Sequence, residues 1–142
     1  MCIRDRIKAL KPDSLSSLRL TVFGGEQLPE GAVTSWQSAA PNSTIFNLYG
    51  PTEATVFCLA QATPLSITPG RAVAAIGEPL PGNEAAIFDA HGQTVADGTP
   101  GELAIAGVQL ADGYLGTPEL SCLLYTSPSP RDRTRSRMPS SA

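Results

Sequence analysis

Two apolar runs and the helix-like stretch between them limit this fold more than anything else in the chain. Leu18-Arg19-Leu20-Thr21-Val22-Phe23 alternates with period two and stops at Gly24-Gly25, the pattern of a strand running into a turn. From Leu28 the apolar residues Leu28, Ala32, Val33, Trp36 and Ala40 recur at helical spacing. Pro29 suits a first helical turn, where its missing N–H costs nothing, and Pro41-Asn42 halts the helix. Thr44 to Leu48 then predicts a second strand. A strand–helix–strand unit of about thirty residues normally joins neighbouring parallel strands, which makes the fold class α/β.

The remainder reads as β-rich. Short apolar runs at Val56-Phe57-Cys58-Leu59, Val73 to Ile76, Ala85 to Asp89, Thr94-Val95 and Leu103 to Ala106 are separated by Gly- and Pro-containing turns. Ala85 to Val95 predicts a hairpin around Ala90-His91-Gly92. A hydrophobic share of 42% with 16% charged residues fits a globular chain. No apolar run approaches the 18 or so residues of a membrane-spanning helix, so no membrane partner is expected. The three cysteines form neither a metal-ligand spacing nor a disulfide framework, which is compatible with a reducing cytoplasm.

Charge is unevenly placed. The body, 7–121, holds four basic and eleven acidic residues, which argues against nucleic-acid binding by the body. Residues 122–142 turn to Ser, Pro and Arg without periodicity, the composition of a disordered basic tail. That tail and the leader Met1-Cys2-Ile3-Arg4-Asp5-Arg6 both resemble translated sequencing-adapter read-through. On that reading 1–6 and 122–142 are artefactual and 7–121 is an internal piece of a longer gene product. A natural basic tail that touches nucleic acid is the other reading.

Three clusters have the residue types for chemistry. Gly24-Gly25-Glu26 follows a strand, and glycines let a ligand approach the backbone closely, although a tight turn needs the same residues. In Asn47-Leu48-Tyr49-Gly50-Pro51-Thr52-Glu53-Ala54-Thr55, Tyr49 offers a flat face for a planar base and Asn47 a donor and an acceptor for its edge. Thr52 has a hydroxyl for a phosphate oxygen, and Glu53 has the hard oxygens that Mg²⁺ takes. The nonapeptide alone fits a structural turn as well as it fits a site. Gly101-Glu102-Leu103-Ala104-Ile105-Ala106-Gly107, followed by Gly113-Tyr114-Leu115, reads as a glycine-bounded strand and a crossing loop. His91 reads as a solvated turn residue, and Trp36 as core. The chain holds no Gly-x-Ser-x-Gly elbow and no Gly-Lys-Ser/Thr phosphate loop.

Phe23-Gly24-Gly25-Glu26-Gln27-Leu28, the nonapeptide, Ile76-Gly77-Glu78-Pro79 and the Gly101–Gly107 and Gly113–Leu115 stretches occur in this order. Together they resemble the AMP-forming adenylate synthetase superfamily of acyl-activating enzymes. Within it they look most like the amino-acid adenylation domains of non-ribosomal peptide synthetases and the stand-alone D-alanine–carrier protein ligases. The resemblance spans about 7–121 and implies a part of the large N-terminal domain, a strand–helix–strand unit followed by a β-rich subdomain. It implies an ATP- and Mg²⁺-dependent ligase that converts an amino-acid carboxylate to an aminoacyl-AMP, releasing pyrophosphate. The acyl group then passes to the phosphopantetheine thiol of a peptidyl or acyl carrier protein.

By this resemblance Tyr49 stacks on adenine, Asn47 meets its edge, and Gly24, Gly25 and Glu26 pass close to the base and the substrate. Leu48, Gly50 and Pro51 complete the nucleotide-binding turn. Thr52 binds the α-phosphate, Glu53 ligates Mg²⁺, and Thr21, Phe23, Leu48, Val56 and Phe57 line the acyl pocket. Asp112 stands where the family usually has Arg. An acyl- or aryl-CoA synthetase of the same superfamily, and a non-catalytic binding module built on the β-rich half, remain as alternatives.

The family's upstream phosphate loop and amino-anchoring aspartate belong before residue 7. Its ribose-binding aspartate and the C-terminal domain with the catalytic lysine belong after residue 121. The purified 142-residue polypeptide is therefore expected to show no amino-acid-dependent ATP–pyrophosphate exchange, and measurable exchange would contradict this.

Overall fold

A computed structural model describes residues 10–68, 70–118 and 135–138. The 1–6 leader and most of the 122–142 tail lie outside the described residues. The fold divides into two compact units. One takes in the chain up to Tyr49 and from Leu59 to Glu78, and the other takes in Gly50–Cys58 and the chain from Pro79 onward.

The first unit is built on the expected strand–helix–strand unit. β1 (Leu20–Gly24) and β2 (Thr44–Tyr49) pair in parallel, from Leu20 opposite Thr44 to Gly24 opposite Leu48. Helix α1 (Glu30–Ala39) connects them. Ala39, Ala40 and Ile45 are fully buried where the helix end meets the sheet, and Leu28, Leu59 and Ala74 are nearly so. β3 (Leu59–Ala62) adds antiparallel to β2, with Tyr49 opposite Leu59. The two-residue strands β4 (Ile67–Thr68) and β5 (Val73–Ala74) form a small antiparallel pair. That pair meets the start of α1, where Glu30 N donates to Ala72 O and Ala74 N to Leu28 O. The chain leaves this unit through β6 (Glu78–Pro79).

Alternation along β1 sorts its side chains onto two faces. Thr21 and Phe23 face α1: Trp36 Nε1 donates to Thr21 Oγ1 at 2.9 Å, and Thr21 Oγ1 shares a 2.8 Å bond with Ser43 Oγ. The Phe23 and Trp36 rings meet edge-to-face, with centroids 5.4 Å apart. Leu20 and Val22 occupy the opposite face and are more than half and half exposed respectively.

The second unit centres on β7 (Asn83–Phe88) and β8 (Glu102–Gly107), antiparallel, with Phe88, Ala104 and Ile105 in its core. β9 (Arg135–Met138) lies antiparallel on the other edge of β8. This departs from the disordered-tail expectation for these four residues. An unpaired strand edge presents a row of donors and acceptors that extended chain can use whatever its side-chain pattern, so composition gives no sign of it.

Other departures have local causes. Pro29 takes the N-cap position in extended geometry and bridges Val73, rather than entering the first turn of the helix. The run Val56–Leu59 is not a strand until Leu59, because Thr55 and Val56 both have positive φ. The predicted strand from Val73 to Ile76 is limited to Val73–Ala74. Thr94-Val95 makes a single bridge to Phe88, and β7 takes β8 as its partner. The Asp89 carboxylate instead closes the loop, accepting from Gln93 N at 2.8 Å and His91 N at 2.9 Å. These bonds, that to Gln93 foremost, hold the Asp89 carboxyl below the usual carboxylate range.

Gly77 marks the closest backbone approach in the first unit. Its φ is +82°, and a Cβ there would overlap the Ala60 carbonyl. Gly77→Ala is expected to destabilise the protein by about 2–4 kcal/mol through left-handed strain and overpacking. A urea unfolding midpoint unchanged from wild type would rule this out.

Candidate functional site

In the first unit the two parallel strands end side by side. Gly24 lies opposite Leu48, so Gly25 and Glu26 leave the sheet next to Tyr49. Ligands of open α/β sheets bind off the carboxyl ends of the strands, and this is such an edge. Gly25 has φ +88°, which a side chain would strain, and a Cβ there would meet nothing within 4 Å, so it is the turn rather than crowding that asks for glycine. Glu26 is exposed and Tyr49 half-buried.

Asn47 lies one alternation back from Tyr49 on the same face. It is 3% exposed, and its Nδ2 donates to Ala75 O at 2.9 Å. The amide thus anchors the segment after β5 as well as standing beside Tyr49. Leu48 points the other way, toward the face of Val22 and Phe46. The acyl-lining set expected in this unit therefore divides: Thr21 and Phe23 are occupied with Trp36 and Ser43, while Leu48 is on the opposite face. Val22, 50% exposed, shares the Leu48 face through the parallel register.

The second unit opens with the rest of the motif. Gly50 is covered by returning chain: a Cβ there would lie 2.6 Å from Val56 O and 2.7 Å from Phe57 Cα. Pro51 is extended and leads into a single 3-10 turn, Thr52–Ala54. Thr52 is exposed, Glu53 is half-buried, and Ala54 is fully buried beneath them. Thr55 (φ +52°) and Val56 (φ +74°) are left-handed although both are β-branched. Such strain persists only where the surroundings over-determine it, and it concentrates at ligand-binding turns.

Those surroundings are supplied by one later segment. Ala111 N donates to Glu53 O at 2.7 Å, Thr55 Oγ1 donates to Gln109 O at 2.7 Å, and Gln109 Nε2 donates to Phe57 O at 3.1 Å. The Tyr114 hydroxyl donates to Glu53 Oε1. None of these four contacts was expected from the sequence, since residues so far apart give no local signal. Val56 is exposed and Phe57 half-buried.

In sequence, the Tyr49 phenol, the Thr52 hydroxyl and the Glu53 carboxylate fall within a run of five residues. Among the described residues no group of three or more His, Cys, Asp or Glu side chains could cage a metal ion. A lone carboxylate suits Mg²⁺ that arrives already held by phosphate oxygens, because that ion keeps most of its shell from water and substrate.

A family model described as "AMP-binding enzyme" matches residues 1–115. The chain belongs to the AMP-binding enzyme family. Novobiocin biosynthesis protein H of Streptomyces niveus is 40% identical over 124 residues, 87% of this AMP-binding chain and 19% of that protein. The Vibrio cholerae adenylation domain AlmE, solved with glycyl-adenosine-5'-phosphate, superposes with a TM-score of 0.80 at 30% identity, covering 95% of this chain and 26% of that one. PA1221, an NRPS protein containing adenylation and PCP domains, superposes with a TM-score of 0.76 at 28% identity, over 92% of this chain and 27% of that one. The AMP-binding chain thus spans about a fifth to a quarter of the length of these relatives. Among the described residues no helix is long and apolar enough to cross a membrane.

Cys58 lies three residues beyond the motif and is fully buried, and burial pushes its thiol pKa up. In the folded protein Cys58 is expected to react with iodoacetamide near pH 8 far more slowly than after denaturation. Equal labelling of the Cys58 peptide in both states, read by mass spectrometry, would contradict the burial.

Proposed function

We propose that this chain is part of an ATP-dependent ligase that activates an amino-acid carboxylate as an aminoacyl-AMP and delivers it to a carrier protein's phosphopantetheine. The observation that carries this reading is the parallel strand edge of the first unit, where Gly24-Gly25 and Tyr49 end side by side. In the second unit a tethered 3-10 turn carries Thr52 and Glu53. Support for the amino acid and the carrier comes from relatives described as an adenylation domain with a glycyl adenylate and as an NRPS protein with a PCP domain.

In the proposed reaction an oxygen of the substrate carboxylate attacks the α-phosphorus of ATP. The bond to the bridging oxygen breaks, and pyrophosphate leaves with the electron pair. A carrier thiol then attacks the acyl carbon, and AMP departs. Both steps ask the protein mainly to position groups and offset charge. Tyr49 is assigned to adenine, with Gly24, Gly25 and Glu26 forming the backbone edge against which base and substrate lie. Asn47, whose Nδ2 is held by Ala75 O, is assigned to the edge of the base, and Leu48, Gly50 and Pro51 to the nucleotide-binding turn. The Thr52 hydroxyl is assigned to an α-phosphate oxygen.

Glu53 is the residue that would hold Mg²⁺, which when bound neutralises charge on the phosphates. The acyl side chain is assigned to Thr21, Phe23 and Leu48 in the first unit, with Val56 and Phe57 as candidates from the second. Such an enzyme works where ATP and carrier proteins are, in the cytoplasm.

In the full-length protein, Glu53→Ala is expected to lower amino-acid-dependent ATP–pyrophosphate exchange by about 10²-fold or more. Exchange at the wild-type rate in that variant, or no exchange by the wild type with any of the proteinogenic amino acids, D-alanine or ornithine, would sink the reading.

A further inference from the structure

We propose that Tyr114 is a positioning residue for the Glu53 carboxylate, and that its hydroxyl sets how that carboxylate is offered to the magnesium–nucleotide complex. The inference rests on the reading of Glu53 as the Mg²⁺ ligand and adds to it a residue 61 positions away in sequence.

Glu53 sits in the middle of a three-residue 3-10 turn, an element too short to hold a long side chain in one rotamer. A glutamate left to itself samples many rotamers, and each must be given up when a cation binds. Here the side chain is already engaged, since the Tyr114 hydroxyl donates to Oε1. One donated hydrogen bond uses only part of what a carboxylate accepts, so the remaining lone pairs stay available to a cation. The backbone of Glu53 is fixed by the same segment, through Ala111 N on Glu53 O at 2.7 Å. Main chain and side chain of one residue are thus held from a single direction.

A positioning group must be firmer than what it positions. The segment that carries Tyr114 begins where β8 ends. Gln109 accepts at Oε1 from Asn83 Nδ2 at the head of β7, and it donates from Nε2 to Phe57 O. Gly107, at φ +136°, lies so close to Gly82 and Asn83 that a Cβ would overlap them, which locks the end of β8 to the start of β7. Tyr114 therefore reaches Glu53 from a sheet-anchored loop. It is 37% exposed, and Tyr114→Phe removes the hydroxyl while keeping the ring and its packing. Partners of metal ligands in this role commonly govern metal affinity without touching the metal.

The test uses the full-length protein and four forms: wild type, Tyr114→Phe, Glu53→Gln and the double variant. Calorimetry measures ATP binding with saturating Mg²⁺ and again in EDTA, and exchange assays give the Mg²⁺ concentration for half-maximal rate. Tyr114→Phe keeps the ring and is expected to weaken Mg·ATP binding about tenfold, raise the Mg²⁺ requirement in parallel, and leave metal-free ATP binding unchanged. In the Glu53→Gln background the same change is expected to have no further effect, because Tyr114 acts through Glu53. Tyr114→Phe binding Mg·ATP like wild type while Glu53→Gln does not would overturn this proposal alone. Equal weakening with and without metal would also overturn it, since that is a packing or nucleotide contact. Undiminished Mg·ATP binding by Glu53→Gln would remove the Glu53 assignment and this proposal with it.

Discussion

The parallel pairing of β1 with β2 is the constraint on which the first unit depends. Its register, Gly24 opposite Leu48, brings two turns that are far apart in sequence to one sheet edge. The helix between the strands holds that register. Trp36 bonds Thr21, Thr21 bonds Ser43, and Phe23 meets the Trp36 ring, so a slip of one residue would turn all three contacts to the wrong face. The edge that Gly24-Gly25 and Tyr49 share is thus fixed by contacts between the helix and the strands.

The 52–57 turn of the second unit depends on tethering more than on packing. A single 3-10 turn flanked by two left-handed β-branched residues has little intrinsic preference for its shape. Its long-range hydrogen-bonding partners come from 109–114, and Ala54 is the only fully buried side chain within it. Polar residues can stay exposed at such a turn because backbone and neighbouring side chains, not the polar groups alone, carry the conformation.

Much of this was legible in the sequence. Period-two alternation over Leu18–Phe23 and helical spacing from Leu28 gave β1 and α1, because burial on one face leaves its period in the residues themselves. The motif around Tyr49 was legible as a turn because Gly50 and Pro51 punctuate it. What escaped was decided elsewhere in the chain. The run Val56–Leu59 has strand composition, yet Thr55 and Val56 are left-handed in a turn where Thr55 donates to Gln109 O and Gln109 donates to Phe57 O. The contacts that Thr21 and Phe23 make with Trp36 also escaped, since they depend on how the helix returns over the strand. The four residues of β9 have no pattern of their own and depend on an open edge of β8.

The tethers also bear on how adenylation domains of this kind can be recombined. The turn at 52–57 and the loop at 109–114 are joined by bonds between residues 52 to 61 apart, across β7 and β8. A chimera with a crossover anywhere between Cys58 and Gln109 would pair one parent's turn with another's loop. Grafted specificity segments should therefore carry both pieces from the same parent, or keep Gln109 and Tyr114 when they do not.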